Sequence, residues 1–247
     1  MSVFALVLSA AFAFINLQGT YSGLPPILDP DFKLWVDRSN GPGLMVWNLN
    51  LVKGVSDNAS LGKSAIQGRD AVELAIYQSG AGSRLVYASI SQTLDGGRLT
   101  ALLNSTIGIW IIKEQCHCDA NPFNSTAVIL AVEVDDGEHT ISFIFSDERQ
   151  GAQTLLNHRI VFMPTPSDTW SLREFDVGKQ YIAAHWAMPD RLVFSITFGA
   201  AASAVGWHTA YVNSIIIIKS ALQNPLPPLA ANWVVSISRL IWVSRSD

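Results

Sequence analysis

The sequence predicts an all-β protein whose strands pair antiparallel in a two-sheet sandwich. Apolar residues alternate with polar ones, or run as β-branched stretches, at about ten-residue spacing from residue 29 to residue 219. Clusters of Gly, Asp, Asn and Ser punctuate these stretches, and no crossover helix separates them. Hydrophobic residues occupy 49% of the 247 positions and charged residues only 15%, with a mean hydropathy of +0.27. Such a chain has material for a large core and lacks the polarity of a disordered one.

Taken in order, the first strand is expected at 43–51, where GLMVWNLNL ends in alternation. The second, 71–78, sets Val72, Leu74 and Ile76 against Glu73 and Tyr77. Next come 84–91 (RLVYASIS) and 107–112 (IGIWII). Segments 126–134 and 139–146 flank Asp135-Asp136-Gly137, a hairpin signal because Asp-Gly tolerates the positive φ of a primed turn. The remaining strands are 158–163, 171–175, 191–198 and 210–218, all rich in β-branched or alternating apolar residues. Turns fall at Ser79-Gly80-Ala81-Gly82 and Asp95-Gly96-Gly97, and 181–187 reads as a short helical turn. No repeat of about 20–50 residues is visible, which excludes propellers and solenoids.

The ends have a different texture. Residues 1–15, MSVFALVLSAAFAFI, are apolar apart from two serines, and no charge occurs before Asp29. That length suits a signal-peptide core better than a spanning helix, which needs roughly 20 residues. Residues 1–18 are therefore read as a signal peptide, with an uncleaved N-terminal anchor as the alternative. Three N-x-S/T sequons, at Asn58, Asn104 and Asn124, fit an exported glycoprotein, placed outside the cell or on its surface. Residues 220–247 open with Pro225-Leu226-Pro227-Pro228 and continue as an apolar tail too short to span, so a membrane is met only through a terminal segment, if at all.

Charge and cysteines narrow the partners. The net charge is −4, with 16 Lys and Arg against 20 Asp and Glu and no basic block, which excludes nucleic-acid binding as the main task. Cys116-His117-Cys118-Asp119 holds the only cysteines. Thiols one residue apart rarely bridge, and no second ligand pair completes a metal cage. Thiols in a loop are expected, with a strained bridge or a metal as alternatives.

A family pattern emerges from the strand order. It opens with Asp29-Pro30-Asp31-Phe32 and Trp35, and runs through Gly62-Lys63-Ser64-Ala65-Ile66 and Val72-Glu73-Leu74-Ala75-Ile76. Tyr87-Ala88-Ser89-Ile90-Ser91-Gln92 and Ile107-Gly108-Ile109-Trp110-Ile111 follow. Thr169-Trp170-Ser171, Leu192-Val193-Phe194-Ser195-Ile196 and Ala210-Tyr211-Val212-Asn213-Ser214-Ile215 close it. Across residues 29–219 this resembles the jelly-roll carbohydrate-binding modules of secreted polysaccharide-degrading enzymes, a subset of the galactose-binding-like sandwiches. The resemblance implies a jelly roll, a glycan or cell-surface polysaccharide as partner, and a structural calcium. The calcium would sit on Asp29, Asp31 and Asn213, the last standing where the family usually carries Asp.

Chemistry-bearing residues are sparse. Glu133-Val134-Asp135-Asp136-Gly137-Glu138 has the E-x-D-x-x-E spacing and resembles the catalytic strand of a glycoside hydrolase family with a related sandwich. The Asp-Gly turn inside it should instead place Glu133 and Glu138 across a hairpin mouth, in solvent. No G-x-S-x-G elbow, H-E-x-x-H or phosphate loop occurs. Sugar rings stack their C–H faces on Trp and Tyr, so the aromatic residues matter more. Trp110, Trp170 and Phe194 lie in apolar surroundings and are expected in the core. Trp47, Trp186 and Trp207, beside polar or turn residues, are the candidate platform, with His208 as a candidate ligand and Arg69, Asp70, Gln92 and Arg149 as polar partners. The expectation is an exported, non-catalytic carbohydrate-binding domain. The alternatives are a surface protein that self-associates and a glycoside hydrolase or polysaccharide lyase.

Overall fold

The structure, a computed structural model, describes residues 25–38, 41–80, 85–113, 128–147, 149–200 and 204–220. The N-terminal apolar segment, the Cys116 to Asp119 cluster, Asn124 and the proline-rich tail lie outside the described residues. Among the described residues, no helix is long and apolar enough to cross a membrane.

Two sheets form the sandwich. The larger has seven strands in the order β10 (Gly151–Leu155), β11 (His158–Pro164), β9 (Thr140–Ser146), β8 (Val128–Asp135), β13 (Arg191–Ala200), β6 (Val86–Asp95) and β3 (Asn48–Val52). The smaller has five, β12 (Ser171–Phe175), β7 (Ser105–Lys113), β14 (Gly206–Ser220), β5 (Arg69–Gln78) and β4 (Asn58–Ile66). A separate ribbon pairs β1 (Trp35–Arg38) with β2 (Gly41–Leu44).

Strand parity builds the core. Val72, Leu74 and Ile76 of β5 and Ile107, Ile109 and Ile111 of β7 are wholly buried. They belong to one apolar cluster with Val132 and Val134 of β8, Phe143 and Phe145 of β9, and Phe194 and Ile196 of β13. Each such side chain stabilises the fold by about 1.5–3 kcal/mol when taken out of water. Since successive residues of a strand face opposite ways, burying one set turns the other outward.

The all-β class and the antiparallel two-sheet sandwich agree with the sequence, with one local exception. β11 lies parallel to β9 because β10 passes beyond it to the sheet edge and the chain returns between the two. The Asp136-Gly137 hairpin joins β8 and β9 as expected. The expected strand 43–51 is divided: Leu44 ends β2, Trp47 turns into the core against Phe32 and Phe194, and β3 resumes on β6. β4 was not expected. It is pinned to β5 by a two-residue turn at Gln67 and Gly68, both at positive φ (48° and 77°).

Both helices among the described residues connect the sheets. At Asp95-Gly96-Gly97 a turn was expected, but helix α1 (Gly96–Leu103) starts there, buries Leu99 and Leu102 and carries the chain from β6 to β7. The helical turn lies at α2 (Val177–Ala184), earlier than 181–187, because the Asp176 carboxylate accepts from the Lys179 N–H at 2.9 Å and starts the helix there.

Lys113 ends β7 with its side chain only 1% exposed. Its Nζ donates to Asp147 Oδ2 at 2.8 Å and lies 3.2 Å from Ser167 Oγ. Removing one partner of a buried pair leaves the other charge uncompensated. Lys113→Met is therefore expected to cost about 3 kcal/mol, read from the urea midpoint at unchanged m-value; a loss of only a few tenths would show that the pair holds nothing.

Candidate functional site

The outward set of the five-stranded sheet is the residue group least explained by folding. On β5, Arg69, Glu73 and Tyr77 alternate with the buried Val72, Leu74 and Ile76. On β14, Trp207 sits opposite Tyr77 and Tyr211 opposite Glu73. Trp207 keeps 64% of its surface in water. Its ring centroid is 5.1 Å from that of Tyr77 at 39°, a cross-strand aromatic pair held by two ladders. Asn58 of β4 extends the row on the far side of Tyr77.

The other expected platform residues are elsewhere. Trp47 is a correction: it is buried at 2%, and its indole N–H donates to the Asp29 carbonyl at 3.4 Å. Its polar neighbours in sequence had suggested exposure, but the chain breaks there to drive the ring inward. Trp186 is half-buried, stacked on His139 at 4.3 Å and edge-on to Tyr181 at 6.0 Å, so it fastens α2 to the β8–β9 turn. His208 follows Trp207 and faces the opposite way, its Nε2 lying 3.2 Å from the Ala204 carbonyl. Gln92 is another correction, being buried with its amide bridging the Leu28 backbone. Arg149 lies over Phe162 at 4.0 Å.

Trp110 and Trp170 also differ from expectation. Neither is core; both are half-buried and bracket Arg69, whose guanidinium carbon is 4.2 Å from the Trp110 ring and 5.6 Å from the Trp170 ring. Phe194 is in the core. Trp110 was misplaced because both faces of β7 are apolar, so composition alone does not say which face is inner; Trp170 precedes β12, and its indole N–H donates to the Ile66 carbonyl at 3.3 Å.

Near Arg69 lies a pocket of about 500 Å³, lined in part by Asp31, Lys33, Lys63, Arg69, Asp70 and Asn213. Two of the three expected calcium ligands are there, but the donor set does not fit that ion. Asp29 uses both carboxylate oxygens on the backbone N–H groups of Lys33 (2.8 Å) and Leu34 (3.0 Å). Asp31 pairs with Lys33 at 3.6 Å. Asn213 donates to the Asp70 carbonyl at 2.6 Å and its Oδ1 accepts from Ser214. Among the described residues, no group of three His, Cys, Asp or Glu side chains converges on a metal position.

On the outer face of the seven-stranded sheet a polar row crosses five strands. Thr197 Oγ1 donates to Glu133 Oε2 at 2.8 Å and lies 3.1 Å from Ser89 Oγ. Ser142 Oγ is 3.4 Å from Glu133 Oε1 and 2.9 Å from His158 Nε2. Burial lowers the His158 pKa, and the charges of Glu133 and Asp135 oppose that shift in part. Glu133 and Glu138 do not face each other as expected. Glu133 pairs across the ladder with Ser142, whereas Glu138 lies in the turn with its side chain 84% exposed. The carboxylate two residues along from Glu133, Asp135, is engaged by Gly137 N–H (2.7 Å) and Thr140 Oγ1 (3.1 Å).

No protein-family model matches the chain, and no curated protein matches it. Solved structures overlap it loosely. One is a carbohydrate-binding module of the β-sandwich superfamily with promiscuous specificity, at 9% identity and TM-score 0.41, covering 72% of this chain; this chain spans 58% of that one. A family 11 carbohydrate-binding module from Clostridium thermocellum, in complex with a β-1,3-1,4-mixed-linked tetrasaccharide, overlaps at 13% identity, with 75% and 95% of the two chains covered and TM-score 0.38. The native family 12 xyloglucanase from Bacillus licheniformis does so at 10% identity, with 79% and 98% covered and TM-score 0.43. At such scores a likeness brings neither ligand nor reaction to this chain, whose own residues must supply the argument.

The cluster around Trp186 has a pH consequence. Burial would raise the Asp136 carboxyl, but the His139 and Glu138 backbone N–H groups, the Tyr181 hydroxyl at 2.9 Å and the His139 ring outweigh it and hold it below 3.8. A depressed carboxylate adds stability above its unfolded pKa and loses it as the pH falls through its folded one. In Asp136→Asn, stability should be lower near neutrality and its decline as the pH falls below about 4 shallower than in the parent. Parallel acid limbs in urea titrations would contradict this.

Proposed function

We propose that the chain is an exported, non-catalytic β-sandwich domain that binds carbohydrate on the outer face of its five-stranded sheet. The observation that carries this reading is the exposed Trp207 ring, fixed against Tyr77 by strand register. A sugar presents a flat C–H face and a rim of hydroxyls. The first stacks on an indole, and the second needs donors and acceptors close by. Asn58 stands beside Tyr77 on β4, and along the same face Thr209 follows Trp207, with Tyr211 and Glu73 beyond it.

Rigidity supports the same reading. An aromatic ring on a strand has little freedom left to lose when a ligand settles on it, so more of the contact energy appears as affinity. Export rests on the sequence, through the apolar N-terminal segment and the sequons. The glycan partner is a polysaccharide or a cell-surface glycan.

Glycan-array screening followed by calorimetry tests the proposal. Trp207→Ala is expected to lose about 1–3 kcal/mol of binding to the best neutral glycan, as for a lost anchor. Its thermal midpoint should be unchanged, since the ring is mostly in water. Undiminished glycan binding in that variant would overturn the assignment of the site. Concentration-dependent self-association through this face, with a blank array, would replace it by the structural reading.

A further inference from the structure

The pocket where a calcium ion was expected is surrounded by cationic side chains. Lys33, Lys63 and Arg69 line it together with Asp31 and Asp70, leaving one positive charge in excess on a chain whose net charge is −4. A divalent cation would meet repulsion there; a monoanion would not.

Arg69 is the distinctive member. Its guanidinium carbon lies over two indole rings, 4.2 Å from that of Trp110 and 5.6 Å from that of Trp170. Stacking occupies the faces of the group and leaves its N–H edge available. Among the described residues no acceptor receives a hydrogen bond from that edge, although the guanidinium carries five N–H donors and stays charged at any working pH. The hairpin that bears it is itself held: Trp170 Nε1 donates to the Ile66 carbonyl at 3.3 Å, and Gln67 Nε2 to the Asp168 carbonyl at 3.2 Å. A charged fork is thus positioned in advance, next to a cavity of small-molecule size.

We infer that this pocket binds a monoanionic oxyanion, the carboxylate or sulfate ester of an acidic sugar, with Arg69 forming the paired hydrogen bonds to it. A planar guanidinium matches two oxygens of either group. Asp31 and Asp70 oppose a dianion such as a phosphomonoester, and half-buried Trp35 in the lining supplies apolar surface for the ring that bears the charge. That the anion is carried on a sugar rests on the carbohydrate reading above; that the pocket takes an anion does not. Arg69 and Tyr77 are eight positions apart on the outer side of β5, roughly 26 Å at about 3.3 Å per residue, so the two sites are separate.

The test is calorimetry on the full chain with methyl glucuronide, a sulfated methyl glucoside, methyl glucoside and sodium acetate. The charged sugars are expected to bind more tightly than methyl glucoside, with affinity falling as salt is added. Arg69→Gln should weaken them at least about tenfold, the worth of a charge-assisted pair. Arg69→Lys should weaken them as well, because an ammonium neither forks nor stacks in the same way. Lys63→Gln, on the exposed edge strand where folding is not at issue, should shift affinity in the same direction by less. Trp207→Ala should leave glucuronide binding unchanged, which separates failure of this pocket from failure of the aromatic platform. Equal affinity for glucuronide and methyl glucoside, or full binding in folded Arg69→Gln and Lys63→Gln variants, would overturn the anion site. Acetate bound as tightly as glucuronide would overturn the assignment to a sugar.

Discussion

Exclusion of water from between the two sheets determines most of what this protein presents to its surroundings. Val72, Leu74 and Ile76 are driven inward against β6 and β13, and the two-residue period of a strand then leaves no choice for Arg69, Glu73 and Tyr77. The same parity on β14 places Trp207 and Tyr211 outside and Ala210 and Val212 inside. The proposed binding face is thus a by-product of core burial: a register slip of one residue would bury Trp207 and Tyr77 and expose the core.

Aromatic residues serve three purposes here, separated by what surrounds each ring. Trp47 fills volume between Phe32 and Phe194. Trp186 joins secondary elements through His139 and Tyr181. Trp110 and Trp170 clamp a cation, and Trp207 alone of these is mostly in water. The polar row through Glu133 is different in kind, since its hydroxyls satisfy one another and the carboxylate across the strands. Such a row stabilises a wet sheet face without needing a ligand.

Much of the fold was legible from local pattern. β5, β12 and the β8–β9 hairpin appear where alternation and Asp-Gly place them, since there the short-range preferences and the tertiary structure agree. β10 was not legible: GAQTL is short, weakly β-branched and held only as an edge by β11. Helix α1 was hidden by Gly96 and Gly97, which read as a turn until Leu99 and Leu102 find the core. For the site, Trp207 could be found from its position after Gly206, at the start of an alternating strand. Trp47 and Trp110 could not be placed without knowing where the chain changes sheets and which apolar face is inner. Pairing of Lys63 and Arg69 around one pocket depends on the β4–β5 register, and sequence does not show that backbone amides already hold the Asp29 carboxylate.

In the proposed function, ligand meets the aromatic face of the five-stranded sheet. The direct measurement is a titration of isotope-labelled protein with a soluble neutral oligosaccharide, mapping amide and indole shifts by nuclear magnetic resonance. The expected shifts lie along β5 and β14 at Tyr77, Trp207 and Tyr211, with the Trp207 indole N–H among the largest. Shifts centred on Glu133, Ser142 and His158 would move the ligand to the seven-stranded sheet and contradict the account.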